Sequence, residues 1–361
     1  MELETITYQD VLDGYVPEGD EFGLAAYALA EPRRKAFLSN PNLTDTSKVM
    51  LKIIRENGKI IGRSMMFPSR FKADNQVIDT MGGSALEVAK NYRDGEAGGG
   101  LMAYNIRHKE NNAIISSGFS AVAAKCHKAL RAYMLNFPQM VQIHDFRRVL
   151  PLLGVNNTVS CLFGFLVNVL AWPFLRIVKY KACKAKEKFR VEEVDVIPKW
   201  VEGISLSDGH KYMEVHDCRW FQWCKDNMFH SDVHNVTRFY TVSKNEENLG
   251  FFMIKERAVV LYENESNQMI QGTICEWGTK DSSALSEYDL HLVALSTFSD
   301  DVDVVFMATT DENVIRKMKR LMFVKKNEAK IAFYDLKKQY KDAKDISLWR
   351  VRFGYGDTIL N

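Results

Sequence analysis

The chain has almost no net charge and no closely paired cysteines, and each shortage excludes something. Lys and Arg total 48 against 46 Asp and Glu, a formal net charge of +2 over 361 residues. That balance presents no strong field to a polyanion, so nucleic acid is not expected as the main partner. The 6 cysteines (126, 161, 183, 218, 224 and 275) contain no C-x-x-C. Scattered through a chain of this size, they fit a reduced cytoplasmic compartment better than a disulfide scaffold. The opening MELETITYQDVLDGY is acidic and has no apolar core, so it does not read as a secretory signal. No G-x-S-x-G elbow is present to support a Ser-His-Asp site. With 46% hydrophobic and 26% charged residues the chain is globular, and its length suits two domains.

What is present is a glycine-rich turn. Ser84–Met102, SALEVAKNYRDGEAGGGLM, reads as a short strand, a turn and the start of a helix. Such a turn points several backbone N–H groups one way at the positive end of a helix dipole, which makes an anion site suited to phosphate. A Walker loop needs Lys and then Ser or Thr after its last glycine, but Leu101 and Met102 follow Gly100. The spacing of Gly95, Gly98, Gly99 and Gly100 does not match G-x-G-x-x-G either. A plain surface turn stays open as the alternative.

The flanks narrow the choice. Met50–Arg55 and Lys59–Phe67 are strand-like, and Asn57-Gly58 between them suits a tight hairpin. Gln76–Thr80 and Ala85–Val88 read as two further runs before the turn. Ala113–Phe119 follows as a strand, and Ser120–Leu135 has helical periodicity. Arg93-Asp94-Gly95-Glu96-Ala97-Gly98, then Gly99-Gly100 and the apolar pair Leu101-Met102, resembles the acetyl-CoA loop R-x-x-G-x-G of the GCN5-related N-acetyltransferases. Glu96 stands where that family has glycine. The element order is similar to the same family. Ser120, Ala123, His127, Leu130 and Arg131 fall on its N-x-x-A-x-x-x-Y-x-x-L-G helix, with Ser for Asn, His for Tyr and Arg for Gly.

The resemblance implies an α/β (α+β) fold of two tandem acyl-CoA N-acyltransferase-like domains, each a mixed, mainly antiparallel sheet flanked by helices. It implies acetyl-CoA as cosubstrate and direct acyl transfer to a small-molecule primary amine. Cofactor contacts are then expected from Val88, Arg93, Asp94, Gly95, Glu96, Ala97, Gly98, Gly99 and Ser120, with the pantetheine arm along the edge of Leu86–Ala89. Glu87 is the first candidate base. His127 is the candidate acid, provided its pKa is suitable. A surface charge and an ordinary helix-face histidine are the plain alternatives for the two. Tyr92 and Tyr104 are weaker candidates for contacts around the loop. A non-catalytic acyl-CoA sensor or scaffold, and an aminoacyl transferase of cell-wall synthesis, remain alternative functions.

The rest of the chain is read more coarsely. Expected boundaries are 1–150 for the domain with the loop, 151–190 for an apolar and basic connecting helix, and 191–361 for a degenerate second domain. Phe22–Ala30 and Pro32–Leu38 read as early helices. Residues 158–178 are almost uncharged and are followed by Lys179, Lys181, Lys184, Lys186 and Lys188. Pro173 is expected to break or kink that segment. It reads as a buried helix joining two domains, with a membrane-surface or lid helix and a true span as alternatives. In the second half, 248–255 and 258–262 read as strands separated by a charged link, Met269–Trp277 as the counterpart of the loop strand, Asp303–Thr310 as a buried strand, Asp311–Phe323 as a capped helix and 347–353 as a closing strand. His216, Cys218, Cys224, His230 and His234 cluster in sequence, but their spacing is not that of common zinc modules, so no metal is expected.

Overall fold

The structure is a computed structural model describing residues 1–74, 76–93, 95–107, 113–153, 155–229, 234–260, 268–356 and 360. Strands β1 (Glu2–Thr7), β2 (Val49–Glu56), β3 (Lys59–Ala73) and β4 (Gln76–Val88) form an antiparallel run. Asn57 and Gly58 turn β2 into β3 at φ 50° and 78°, both left-handed as a two-residue hairpin requires. β5 (Ala113–Ser117) then lies parallel to β4. The remaining strands are β6 (Tyr133–Ile143), β7 (Arg190–Glu193), β8 (Tyr212–Glu214), β9 (Asn235–Lys244), β10 (Glu247–Val260), β11 (Gln268–Thr279), β12 (Val304–Ala308) and β13 (Val324–Asp335). Their order is β1-β2-β3-β4-β5-β13-β6-β12-β11-β10-β9-β7, with β8 on the edge of β3. β4–β5 and β11–β12 are parallel, and the other pairs between named strands are antiparallel. This is a mixed, mainly antiparallel sheet flanked by helices.

The order reads alike from either end, because each half gives its neighbour one strand. β13, from the end of the chain, sits between β5 and β6, and β6 pairs on its other edge with β12. The helices are α1 (Tyr8–Leu12), α2 (Leu24–Ala28), α3 (Glu31–Leu38), α4 (Ala97–Arg107), α5 (Ala121–Ala129), α6 (Phe146–Val149), α7 (Asn157–Lys186), α8 (Trp200–Leu206), α9 (Cys218–Asp226), α10 (Glu287–Leu295) and α11 (Glu312–Lys319). Asp217 caps α9 by accepting from Trp220 N at 2.9 Å. The buried Trp220 and Trp223 share its inner face, one turn apart. Trp223 Nε1 donates to Ala36 O of α3 at 2.8 Å. One core therefore joins the halves, with Phe37 and Phe67 packed among Trp220, Phe221 and Phe239.

Several expectations need correction. The two runs before the loop are one strand, β4, bent at Ala85. The helix expected over 120–135 stops at Ala129, and Tyr133 already belongs to β6. Glu256 and Arg257 are not a link but lie within β10. The closing strand expected at 347–353 is a short 3-10 turn, Ile346–Leu348, followed by irregular chain. α7 runs unbroken through Pro173, whose missing N–H costs one hydrogen bond on the exposed side. α7 is not buried between the halves: only 17% of its apolar stretch is covered.

Candidate functional site

β4 and β5 run together only at Met81–Ile114, Gly82–Ile115 and Gly83–Ser116. Beyond Gly83 they part into a fork. β4 keeps β3 on one edge as far as Val88, while β5 no longer covers the other. Ala85 sits at the divergence with φ 47°, where the register against β3 shifts between Arg63 and Met65. That bulge re-aims the strand. Gly82 is needed at the apex, since a Cβ there would lie 2.1 Å from the Phe67 ring. A cavity of about 660 Å³ opens at the fork, lined on this side by Ser84, Leu86, Glu87, Ser117 and Ser120. That volume suits a small-molecule ligand.

The glycine-rich turn lies at the end of β4. Arg93 Nε donates to Val88 O at 3.0 Å, tying the turn to the strand. At the start of α4, Gly100 N donates to Glu96 O at 2.8 Å. The N–H groups of Ala97, Gly98 and Gly99 precede it, in the turn where helix donors lack intrahelical acceptors. No acidic residue lies in that first helical turn. Ala97 is buried against Ile54, Ile61 and Leu101, which anchors the helix start. A Cβ on Gly99 would meet nothing within 4 Å, so the backbone there is open to a ligand. Gly95 and Glu96 are exposed. Asp94 lies outside the described residues. The geometry fits a pyrophosphate, which would gain both the N–H groups and the dipole.

The two candidate catalytic residues and Ser120 line the same cavity. Glu87 is held by Arg63, whose Nη2 is 2.6 Å away, and by Arg93 at 3.7 Å. His127 is buried on α5, with Nδ1 2.7 Å from the Tyr334 hydroxyl of β13. Burial pushes its pKa down to about 4. The ring is therefore neutral at pH 7 and carries no imidazolium proton to give away. Ser120 caps α5 by accepting from Ala123 N at 3.2 Å. Tyr92 packs edge-on against Phe22, and Tyr104 faces the Lys52 ammonium.

Sequence reasoning missed the opposite wall. Lys255 and Arg257 of β10 and Lys326 of β13 line the cavity, joined by Arg33 and Arg63 from the first half. Among the described residues, five cations and one carboxylate, Glu87, thus line the cavity. The Arg257 guanidinium has no hydrogen-bond or ion-pair partner among the described residues, and burial pushes its pKa down. Burial also pushes Lys255 down to about 8. Arg33 is 4% exposed and lies over the rings of Tyr27 and Phe229. Alternation along a strand could have placed Lys255 and Arg257 on one face, had the segment been read as continuous.

The His and Cys cluster does different work. His216 is fully buried, with Nδ1 3.1 Å from Glu276 and Nε2 3.5 Å from Glu214. Burial alone would lower its pKa, but Glu276 and Glu214 raise it to about 9. Cys224 is buried, and His234 is exposed 3.8 Å from Glu256. His230 lies outside the described residues. Among those described, no group of three or more His, Cys, Asp or Glu could hold a metal ion.

No protein-family model and no curated protein matches the sequence. Solved structures do match the fold. A GCN5-related N-acetyltransferase from Anabaena variabilis superposes with TM-score 0.52 at 9% identity, covering 93% of this chain and 72% of its own. Saccharomyces cerevisiae N-myristoyltransferase with bound myristoyl-CoA superposes with TM-score 0.56 at 10% identity, covering 92% of this chain and 82% of its own. A second structure of that yeast enzyme with myristoyl-CoA covers 92% and 78% at the same score. The forked sheet, the helix that starts at its open edge and these superpositions together give the chain the GCN5-related N-acetyltransferase fold.

Proposed function

We propose that the protein is an acyltransferase that moves an acyl group from a coenzyme A thioester, acetyl-CoA in the first instance, to a primary amine. The observation that carries this reading is the fork. An open β4 edge leads from the cavity to a helix start made of Ala97, Gly98, Gly99 and Gly100. The pantetheine amides would pair with the edge at Leu86–Ala89, and the pyrophosphate would meet the N–H groups of Ala97–Gly99. The amine nitrogen attacks the thioester carbonyl; a C–N bond forms, the C–S bond breaks and the thiolate leaves. The amine's proton passes to Glu87, the carboxylate in the lining, which Arg63 and Arg93 hold in place.

The opposite wall bears on the acceptor. Lys255, Arg257 and Lys326 favour an amine that also carries a carboxylate or phosphate, most strongly through the buried Lys255 and half-buried Arg257, since a cation shielded from water gains most from an anionic partner. The test is thiol release from acetyl-CoA by the full chain, with neutral amines, polyamines, amino acids and phosphorylated amines as acceptors. Thiol release with an anionic amine, at a KM at least tenfold below that of its neutral analogue, supports the whole reading. Release with polyamines only would keep acyl transfer and overturn the acceptor class. Thermal stabilisation by acetyl-CoA with no release from any amine would favour a CoA-binding sensor, the reading to which the neutral His127 points.

A further inference from the structure

The largest feature outside the cavity is α7. It is 30 residues long, about 45 Å at the usual rise. One side is fixed to the body of the protein. Ala171, Val178, Ala182 and Ala185 are buried, and Gly164 lies so close to α6 that a Cβ would sit 2.7 Å from Arg147 N. Midway, Asn168 accepts from Phe146 N at 2.9 Å and donates to Asp145 at 2.7 Å. The other side is bare. Eleven large apolar side chains of α7 are exposed, among them Leu162 at 70% and Leu170 at 72%. At about 100° per residue they sweep roughly 200° of the helix. A patch of this kind marks an interaction surface.

The sequence along that outward arc indicates the occupant. From Val159 to Phe174 the exposed large side chains are apolar; Lys181 and Lys184 then continue the same arc, and Lys188 is exposed in the turn just past the helix end. Trp172 and Tyr180, both exposed, stand at the change from apolar to basic. Aromatic side chains favour the membrane–water boundary, and lysines beside an apolar face favour anionic headgroups. A span is ruled out by the attached side: the Asn168–Asp145 pair would place a carboxylate at the bilayer's centre.

We infer that α7 seats the protein on the surface of an anionic lipid bilayer, with its apolar arc in the interfacial layer and Lys181, Lys184 and Lys188 at the headgroups. The full chain would be floated with vesicles of phosphatidylcholine alone and with vesicles containing about one third phosphatidylglycerol. The protein should float with the anionic vesicles, and Leu162→Glu/Leu166→Glu/Leu170→Glu should cut recovery at least tenfold at an unchanged melting temperature. Lys181→Glu/Lys184→Glu/Lys188→Glu should remove the preference for anionic vesicles. That variant decides the matter if the leucine variant fails to fold. Failure of the wild type to float, or an anionic preference that survives loss of the three lysines, would overturn the inference. So would a wild-type dimer that the glutamates split without any vesicle binding, since the face would then belong to a second copy.

Discussion

The sheet contains two forks, and they have opposite contents. Three residues past the last β4–β5 pair stands Leu86, with Glu87 next, both lining a cavity. Three residues past the last β11–β12 pair stands Glu276, followed by Trp277, and these are 0% and 1% exposed. Glu276 is taken up by His216 and Arg352, while Trp277 packs on His291 and under Arg350. The helices that follow differ in the same sense. α4 opens on Ala97, Gly98 and Gly99 with no carboxylate in its first turn. α10 opens with its own cap, Ser286 accepting from Asp289 N at 3.1 Å, and with Glu287 and Asp289 in its first turn. A helix start already supplied with carboxylates repels a phosphate. One topology thus gives a candidate ligand site where small residues leave the backbone open, and a joint where Glu276 and Trp277 are buried among paired side chains.

The comparison can be broken from either side. The largest effect is expected at the filled fork: His216→Ala should cost about 3–5 kcal/mol in chemical denaturation, because it removes the cation between two buried carboxylates and leaves Glu276 with Arg352 alone and Glu214 with Ser69 and the Gly356 N–H. The same ion pairing has a pH signature. The His216 pKa is raised to about 9, so its contribution is complete below about pH 6.5 and fades as pH rises through about 9. Wild-type stability should fall across that window by an amount that His216→Ala no longer shows. In the cavity, Arg257→Glu should raise the KM for an anionic acceptor about a hundredfold, the loss of a charged hydrogen bond plus a repulsion, while leaving acetyl-CoA affinity within twofold. Gly99→Asp gives the first fork the helix start of the second and has room to do so. It should weaken acetyl-CoA binding about tenfold in calorimetry at unchanged stability. The smallest change is expected at His127. His127→Asn should lower kcat less than tenfold and leave its pH profile between about pH 5 and 8 unaltered, since the ring is already neutral there. A lost limb in that profile would restore His127 as an acid.

The open fork was legible in the sequence and the joint between the halves was not. Asn57-Gly58, the glycine run and the apolar pair at Leu101-Met102 are local signals, set by backbone conformation and helix packing within a few residues. β6 and β13, the two exchanged strands, give no such signal. Lys325, Lys326 and Lys330 interrupt the alternation of β13. β6 carries Pro138 in its interior, next to an irregularity in its pairing with β13, and proline argues against a central strand. Both strands are held by partners from the other half, which no short window contains. The basic wall was hidden for the same reason: Lys255 read as the end of one strand and Arg257 as part of the charged link after it, and the two face the first half only once the sheet has formed. α7 read as a buried helix because apolar length alone does not say which side is covered.

The first fork, and not the second, is the one expected to hold a coenzyme A thioester. A crystal structure of the full chain grown with acetyl-CoA tests it most directly. The pyrophosphate is expected on the N–H groups of Ala97, Gly98 and Gly99 and the thioester between Leu86 and Ser117. A ligand seated against α10 and Trp277, or a cavity that stays empty at saturating acetyl-CoA, would contradict it.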